Sequence, residues 1–179
     1  MTTVTGDFEL THEELRVVAR YVAESAQNVL PIFERACPDD PRPRTAIDAA
    51  WTFINGTRRT KLQRVTSLDA HRAAKQAPTE AARLAAQAAG DAASAAYLHP
   101  IARGHQVGHI LRAAANTARI AEIEAGDDTG AADKQIEQAR QRATPILVDV
   151  LRRYPLLPRG RSRAAQLMVA LESTLRETR

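Results

Sequence analysis

Residues 11–33, THEELRVVARYVAESAQNVLPIF, contain the signals that decide the fold. Thr11 and Glu14 have the spacing of a capping box, in which a hydroxyl and a carboxylate satisfy amides of the first helical turn. Apolar side chains then recur at steps of three and four, which predicts one apolar stripe along an α-helix. Pro31 predicts a kink or a break in this helix, because its ring displaces the carbonyl group four residues earlier. The stripe consists of Leu15, Val18, Ala19, Val22, Ala26, Val29, Leu30 and Phe33.

Helical patterns continue along the rest of the chain. No segment alternates at period two over the length of a strand, so we predict an all-α fold, a compact bundle of about seven helices with no sheet. No linker divides the chain, which predicts a single helical domain over 1–179 with 1–10 as a flexible N-terminus. After the first helix, we expect a second that ends at Asn55-Gly56, a third over 59–76 and a fourth over 79–97. The fifth should run from just after His99-Pro100 to Ala125, and the sixth over 130–153, where Thr144-Pro145 could divide it. Ser162 should cap a final helix.

Composition indicates a cytoplasmic globular protein. The hydrophobic share is 44%, and the single cysteine, Cys37, is typical of a reducing compartment. The N-terminus lacks the features of a signal peptide, and no apolar run approaches the roughly 20 residues of a membrane span.

The net charge of +4 is concentrated at the C-terminal end of the chain. Residues 151–179 carry +5, so the other residues sum to −1. Because 22 of the 25 basic residues are arginine in an alanine-rich chain, we attribute the excess to the codon usage of a GC-rich genome, which argues against nucleic acid as a partner. A helical nucleic-acid-associated protein that uses this region stays an alternative. The arginines concerned are Arg152, Arg153, Arg159, Arg161, Arg163, Arg176 and Arg179.

No arrangement of residues indicates catalysis. The eight glycines form no phosphate-binding loop, and no nucleophile lies in a recognisable motif. His105 and His109 have the spacing of zinc ligands on one helix face, but position 106 is Gln rather than the Glu of a metalloprotease motif. We therefore predict that the protein is not an enzyme and holds no metal or cofactor. A small-molecule or metal site made by His99, His105 and His109 stays a second alternative.

A polar ridge runs along the predicted fifth helix. Its residues follow one another at steps of four, three, four and three, so they share one face. The ridge is either the solvent side of an amphipathic helix or a recognition face for an acidic partner or an anion. His99 and Tyr97 precede this helix and could join such a face. The predicted partner-binding residues are His99, His105, His109, Arg112, Asn116 and Arg119.

Four segments carry a resemblance to a known family: VLPIFE at 29–34, DDPRPRTAI at 39–47, AYLHPIARGHQVGHILRAAA at 96–115 and ATPILVDVLRRYP at 143–155. They resemble a bacterial, alanine-rich helical family of immunity proteins, the type-5-like immunity domain, some of whose members are named as exonuclease subunits. The resemblance implies a protein that binds a secreted polymorphic toxin and occludes its active site without catalysis. The exonuclease name does not fit, because the chain lacks the phosphate loop and the long coiled coil of such an ATPase subunit. A nuclease target is not indicated either, since many nuclease inhibitors are acidic mimics of nucleic acid and this chain is basic.

Overall fold

The structure is a computed structural model that describes residues 3–177. This part of the chain confirms the predicted helical fold, with eight α-helices where about seven were expected, preceded by a small hairpin. The strands are β1 (Thr3–Thr5) and β2 (Glu9–Thr11), and the helices are α1 (His12–Ala36), α2 (Arg42–Ile54), α3 (Lys61–Gln76), α4 (Glu80–Ser94), α5 (Gln106–Glu124), α6 (Thr129–Arg142), α7 (Pro145–Arg152) and α8 (Arg163–Glu177), with a 3₁₀ turn at Ala95–Tyr97.

The start of α1 has the predicted capping box. The Glu14 amide donates to Thr11 Oγ1 at 3.1 Å, and the Thr11 amide donates to Glu14 Oε2 at 2.8 Å. The helix passes through Pro31 without the break that the sequence suggested. Pro31 is exposed, and so is Gln27, whose carbonyl loses its amide partner. Water can therefore solvate that carbonyl while the opposite face of the helix stays packed in the core.

The boundaries of the later helices follow local signals. Gly56 and Gly126, with φ of +105° and +71°, come directly after the ends of α2 and α5. The Thr144 hydroxyl accepts from the Leu147 amide at 3.2 Å, so the predicted sixth helix does divide at Thr144-Pro145. The Ser162 hydroxyl accepts from the Ala165 amide at 3.2 Å and caps α8 as expected.

The predicted start of the fifth helix is wrong by several residues, since α5 begins at Gln106 rather than just after Pro100. Long-range contacts hold the intervening turn. The Asp7 carboxylate accepts from the Ala102 amide at 2.7 Å, and the Asp7 amide donates to the Pro100 carbonyl at 2.9 Å. Gly104 lies against the Leu156 carbonyl, where a Cβ atom would come within 2.1 Å of the oxygen.

The prediction that the chain has no sheet is wrong at its N-terminal end. β1 and β2 pair in an antiparallel sense, with Val4 opposite Leu10. Leu10 is fully buried, and Phe8 meets the ring of Tyr154 edge-on at 4.9 Å, so this segment is packed on the helices. Three-residue strands are too short to show alternation in a sequence. Residues 3–10 of the N-terminus expected to be flexible thus lie in this hairpin, while residues 1 and 2 fall outside the described part.

The two alanine-rich helices, α4 and α5, form the centre of the core. α4 packs against α1, α2, α3 and α5, and α5 packs against α1, α4, α6 and α8. Nearly every buried side chain of α4 is alanine, which lets the surrounding helix axes approach closely. Larger side chains such as Phe33 and Phe53 enter from α1 and α2. Among residues 3–177, no helix is both long and apolar enough to cross a membrane.

Candidate partner-binding site

Most of the polar ridge predicted on α5 lies inside the helix assembly. Asn116 is fully buried, while the side chains of Arg112 and Arg119 are 31% and 16% exposed. At the start of the helix His105 is exposed and His109 is half-buried. The expectation that this ridge is the solvent side of an amphipathic helix is therefore wrong beyond its first turn, because α5 has helices packed around it.

Arg112 forms a bidentate ion pair with a carboxylate from the neighbouring helix. Asp91 lies on α4 with its side chain 1% exposed, and Arg112 Nε donates to Asp91 Oδ2 at 2.7 Å. Arg112 Nη2 donates to the other carboxylate oxygen. Such parallel hydrogen bonds fix the guanidinium in one plane, so the pair sets how α4 and α5 face each other.

Two histidines border this pair. His71 of α3 places Nε2 3.6 Å from Asp91 Oδ1, and its ring lies over Gly90, where a Cβ atom would come within 2.7 Å of Nε2. Burial lowers the pKa of both His71 and His109, outweighing the opposing charge of Asp91, and nearby Arg112 lowers it further. Both imidazoles are therefore neutral at pH 7. We call His71, Asp91, His109 and Arg112 the Asp91 cluster; it joins α3, α4 and α5.

Asn116 links α5 to α4 one turn further along. Its Nδ2 donates to the Leu84 carbonyl at 3.0 Å and to Gln87 Oε1 at 3.1 Å. Its Oδ1 has no hydrogen-bond partner within the described part of the chain. The residue lines a cavity of about 250 Å³ together with Arg83 and Ser162, a polar space large enough for ordered water.

Arg119 and the buried carboxylate of Glu122 close the far end of the ridge. Arg119 Nη1 donates to Glu122 Oε2 at 2.8 Å, and Arg163 of α8 donates to Glu122 Oε1 at 2.7 Å. The hydrogen bonds from Arg163 hold the pKa of Glu122 below its ordinary value, against the effect of burial. Arg119 also pairs with Glu80 and Asp127. This arginine therefore holds helices together rather than offering a free cation.

The three histidines of the alternative metal site do not form one. His99 and His105 are exposed. His105 Nε2 lies 3.0 Å from Nε2 of the Gln106 side chain. Across residues 3–177, no group of three or more histidine, cysteine or acidic side chains is placed to hold a metal ion. Tyr97, which we expected beside these histidines, instead has the guanidinium groups of Arg59 and Arg64 over its ring at 4.8 and 4.2 Å.

Much of the C-terminal positive charge is neutralised within the chain. Three arginines there form ion pairs with carboxylates: Arg153 with Glu14, Arg163 with Glu122, and Arg176 with Glu172. Arg152 donates to the Arg176 carbonyl at 2.8 Å, Arg159 and Arg161 are exposed, and Arg179 lies outside the described residues.

Sequence reasoning missed His71 and Asp91, which lie 20 residues apart on different helices. An acidic residue inside an alanine run, as Asp91 is at the end of AAQAAGD, was the available signal. A charge among small apolar residues is rarely buried without a partner, and the nearby helix offers Arg112.

The comparison with protein families gives one match, to a model described as Imm-5 like putative immunity protein, over residues 9–144. The matched region contains β2 and α1 to α6, and hence the whole Asp91 cluster. Neither the curated proteins nor the solved structures gave a match.

Proposed function

Because the chain belongs to the Imm-5 like putative immunity protein family, we propose that it binds and neutralises a protein toxin. The toxin is held in a stoichiometric complex in which its active site is covered, and the bound chain carries out no reaction. Binding takes place in the cytoplasm of the cell that makes the immunity protein. The family match over residues 9–144 is the observation that carries this proposal.

The way the buried charges are used supports a binding protein rather than an enzyme. Asp91, Glu122 and Glu172 are the buried carboxylates described, and each accepts hydrogen bonds from at least one arginine. A general acid or base must reach a substrate to exchange its proton, whereas these carboxylates are buried and their oxygens already accept hydrogen bonds from arginine side chains. These groups therefore act in packing the helices.

We place the toxin on the side of the molecule that carries α3 and the start of α5. Of the six partner-binding residues predicted from the sequence, His99 and His105 have exposed side chains, and His109 and Arg112 keep part of theirs at the surface. Asn116 and Arg119 act by holding α5 in place. Asp91 of α4 connects this end of α5 to α3, because it pairs with Arg112 on one side and lies beside His71 on the other.

The stoichiometry of inhibition tests this proposal. A toxin identified from the neighbouring genes would be titrated with purified immunity protein, and its activity followed at each ratio. Occlusion predicts that inhibition is complete at about one immunity protein per toxin and that a stable complex elutes in gel filtration. His105→Glu should weaken the complex, whereas Lys134→Glu, an exposed change on α6, should not.

Two results would count against the proposal. Neutralisation at ratios far below one would indicate that the protein modifies the toxin catalytically. Full toxin activity in the presence of excess immunity protein, with no complex in gel filtration, would contradict toxin binding altogether.

A further inference from the structure

We propose that the outer face of α3 is the docking surface for an acidic, partly apolar patch on the partner protein. The inference rests on the proposed function, since the partner is the toxin. We call this surface the α3 face; it consists of Lys61, Leu62, Arg64, Val65, Leu68, Arg72 and Lys75.

The α3 face carries exposed aliphatic side chains in a row. Leu62, Val65 and Leu68 are 46%, 42% and 57% exposed, and their spacing of three places them along one side of the helix. The other large hydrophobic side chains exposed among residues 3–177, Ile146 and Leu156, lie in α7 and in the loop after it. A row of aliphatic side chains in solvent is typical of a surface that a partner covers.

The same segment is strongly basic. Between residues 58 and 75 there are six basic residues against the single acidic residue Asp69, which gives +5 with His71 neutral. The whole chain carries only +4, so the rest of the molecule sums to −1. A local charge of this size attracts an acidic surface over a distance and speeds its association.

Little of this charge is neutralised within the described part of the chain. Arg72 pairs with Asp69 at 2.8 Å on the surface, and no carboxylate lies within ion-pair distance of Lys61, Arg64 or Lys75 in residues 3–177. The C-terminal arginines behave differently, since three of them are paired with carboxylates. The α3 face therefore keeps a positive charge that acidic groups on a partner can neutralise.

A protein surface fits the α3 face better than a lipid surface. A helix that lies on a membrane inserts an apolar face, but the inner face of α3 is already packed against α2 and α4. Only the outer face is available, and there the aliphatic residues alternate with cations, which does not suit insertion.

Nucleic acid fits less well for a different reason. Interfaces with nucleic acid are wet and polar. Proteins that bind single-stranded nucleic acid also stack its bases on open aromatic rings. The centre of the α3 face holds Val65 and Leu68, and the nearby Tyr97 ring is covered by two guanidinium groups. A core of aliphatic side chains surrounded by charged ones is the usual anatomy of a protein–protein contact.

Binding to a catalytically inactivated toxin, identified from the neighbouring genes, tests the inference by titration calorimetry with the wild-type protein and its variants. The double variant Lys61→Glu/Arg64→Glu should weaken binding about 100-fold or more, since it places like charges across the contact. Leu68→Asp should weaken it at least about tenfold. The matched controls Lys134→Glu and Ile146→Asp change exposed residues of the same types on α6 and α7, and they should stay within about twofold of wild type.

The outcomes separate the two proposals. Wild-type affinity in both α3 variants, with the toxin still bound and neutralised, would overturn the α3 face and leave toxin binding intact. Failure of the wild-type protein to bind the toxin would overturn both. Tight binding of the wild type to a duplex DNA probe, lost in Lys61→Glu/Arg64→Glu but not in Lys134→Glu, would overturn the inference in favour of a nucleic-acid surface. Leu68→Asp, Lys134→Glu and Ile146→Asp should keep the wild-type melting temperature, because the substituted side chains are exposed. Lys61→Glu/Arg64→Glu should lower it only slightly, since it also removes the Arg64 guanidinium from the Tyr97 ring.

Discussion

Asp91 is a charged residue on a helix whose buried side chains are otherwise almost all alanine. Removing a carboxylate from water costs several kcal/mol, and the cost is offset only if the geometry of its partners is good. Here Arg112 supplies two parallel hydrogen bonds, and His71 adds an imidazole at 3.6 Å. Alanine helices can slide past one another, because their surfaces have few distinctive ridges. We infer that the Asp91 cluster fixes the registration of α3, α4 and α5.

The first prediction concerns this ion pair. Asp91→Asn should lower the free energy of unfolding by about 3 kcal/mol, because it leaves the Arg112 guanidinium largely buried without its counter-charge. Asp69→Asn is the matched control, since it removes a surface partner of Arg72, and it should cost at most about 1 kcal/mol. Urea unfolding followed by circular dichroism measures both. Equal losses in the two variants would mean that the buried pair has no special role.

Replacing both members of the pair gives a second view of it. The double variant Asp91→Leu/Arg112→Met should be more stable than Asp91→Asn alone, since apolar side chains leave no unpaired charge. A double variant that is less stable than Asp91→Asn would indicate that the attraction within the ion pair exceeds the free-energy cost of desolvating its two charges.

The neutral histidines of the cluster predict a pH dependence of stability. The pKa values of His71 and His109 are lowered from 6.5 in the folded chain, so below pH 6.5 the unfolded chain binds more protons than the folded one. The free energy of unfolding should therefore decrease as the pH falls from 6.5 toward the folded-state pKa values. Above pH 6.5 the contribution of these two histidines should not change with pH.

Urea unfolding between pH 5.5 and 7.5 tests this dependence. His71→Gln should reduce the slope, because it removes one of the groups whose pKa is lower in the folded chain than in the unfolded chain. Some slope should remain in His71→Gln, since burial also lowers the pKa of His12. A slope in His71→Gln equal to that of the wild type would contradict the assignment.

At the scale of single elements, the helices that the sequence predicted well are those with local end signals. Thr11, Thr144 and Ser162 each use their own hydroxyl within one turn, so three or four residues contain the whole signal. The start of α5 was misplaced because contacts with residues far away in the chain hold the preceding turn: Asp7 on one side and Leu156 on the other. No window of neighbouring residues contains that information.

Two glycines four residues apart test this difference between local and long-range control. Gly104→Ala should destabilise the protein by about 1–3 kcal/mol, because its Cβ would come within 2.1 Å of the Leu156 carbonyl oxygen, and the backbone must move. Gly108→Ala should stabilise it by about 0.5–1 kcal/mol, since no atom beyond its chain neighbours and the adjacent helix backbone lies within 4 Å of the added carbon, and alanine favours the helix. Thermal unfolding of the two variants should therefore shift in opposite directions. Two shifts of the same sign would contradict the close approach at Gly104.

At the scale of the whole molecule, the residues of the predicted polar ridge do share one face of α5, but most of that face is covered by other helices. Periodicity shows which side chains of a helix point the same way, but not what lies opposite them. α5 has α1, α4, α6 and α8 around it, so its polar side meets Asp91, Gln87 and Arg163 rather than water. Most of these partners lie more than 20 residues away in the chain, and the sequence alone does not pair them. The basic, aliphatic face of α3 went unnoticed because its cations are spread at helical spacing rather than in one run.

The distribution of ion pairs gives a prediction about nucleic acid: despite the pI of about 9.7, the C-terminal arginines should contribute little to its binding. Affinity for a duplex depends on cations that are free to replace the counterions of the phosphates. Arg153, Arg163 and Arg176 are already held by carboxylates, so the C-terminal region offers less charge than its composition suggests.

Fluorescence anisotropy with a labelled duplex at 150 mM salt should give a dissociation constant no tighter than roughly 10⁻⁶ M, the range of non-specific binding. The variant Arg159→Glu/Arg161→Glu reverses two exposed cations of the C-terminal loop and should change that constant little, because only two phosphate contacts are at stake. A nanomolar constant that weakens steeply with salt and is lost in this variant would instead establish the C-terminal arginines as a nucleic-acid site. That result would not decide whether the α3 face binds the toxin. The calorimetric titration of the α3 variants with the toxin tests the α3 face separately.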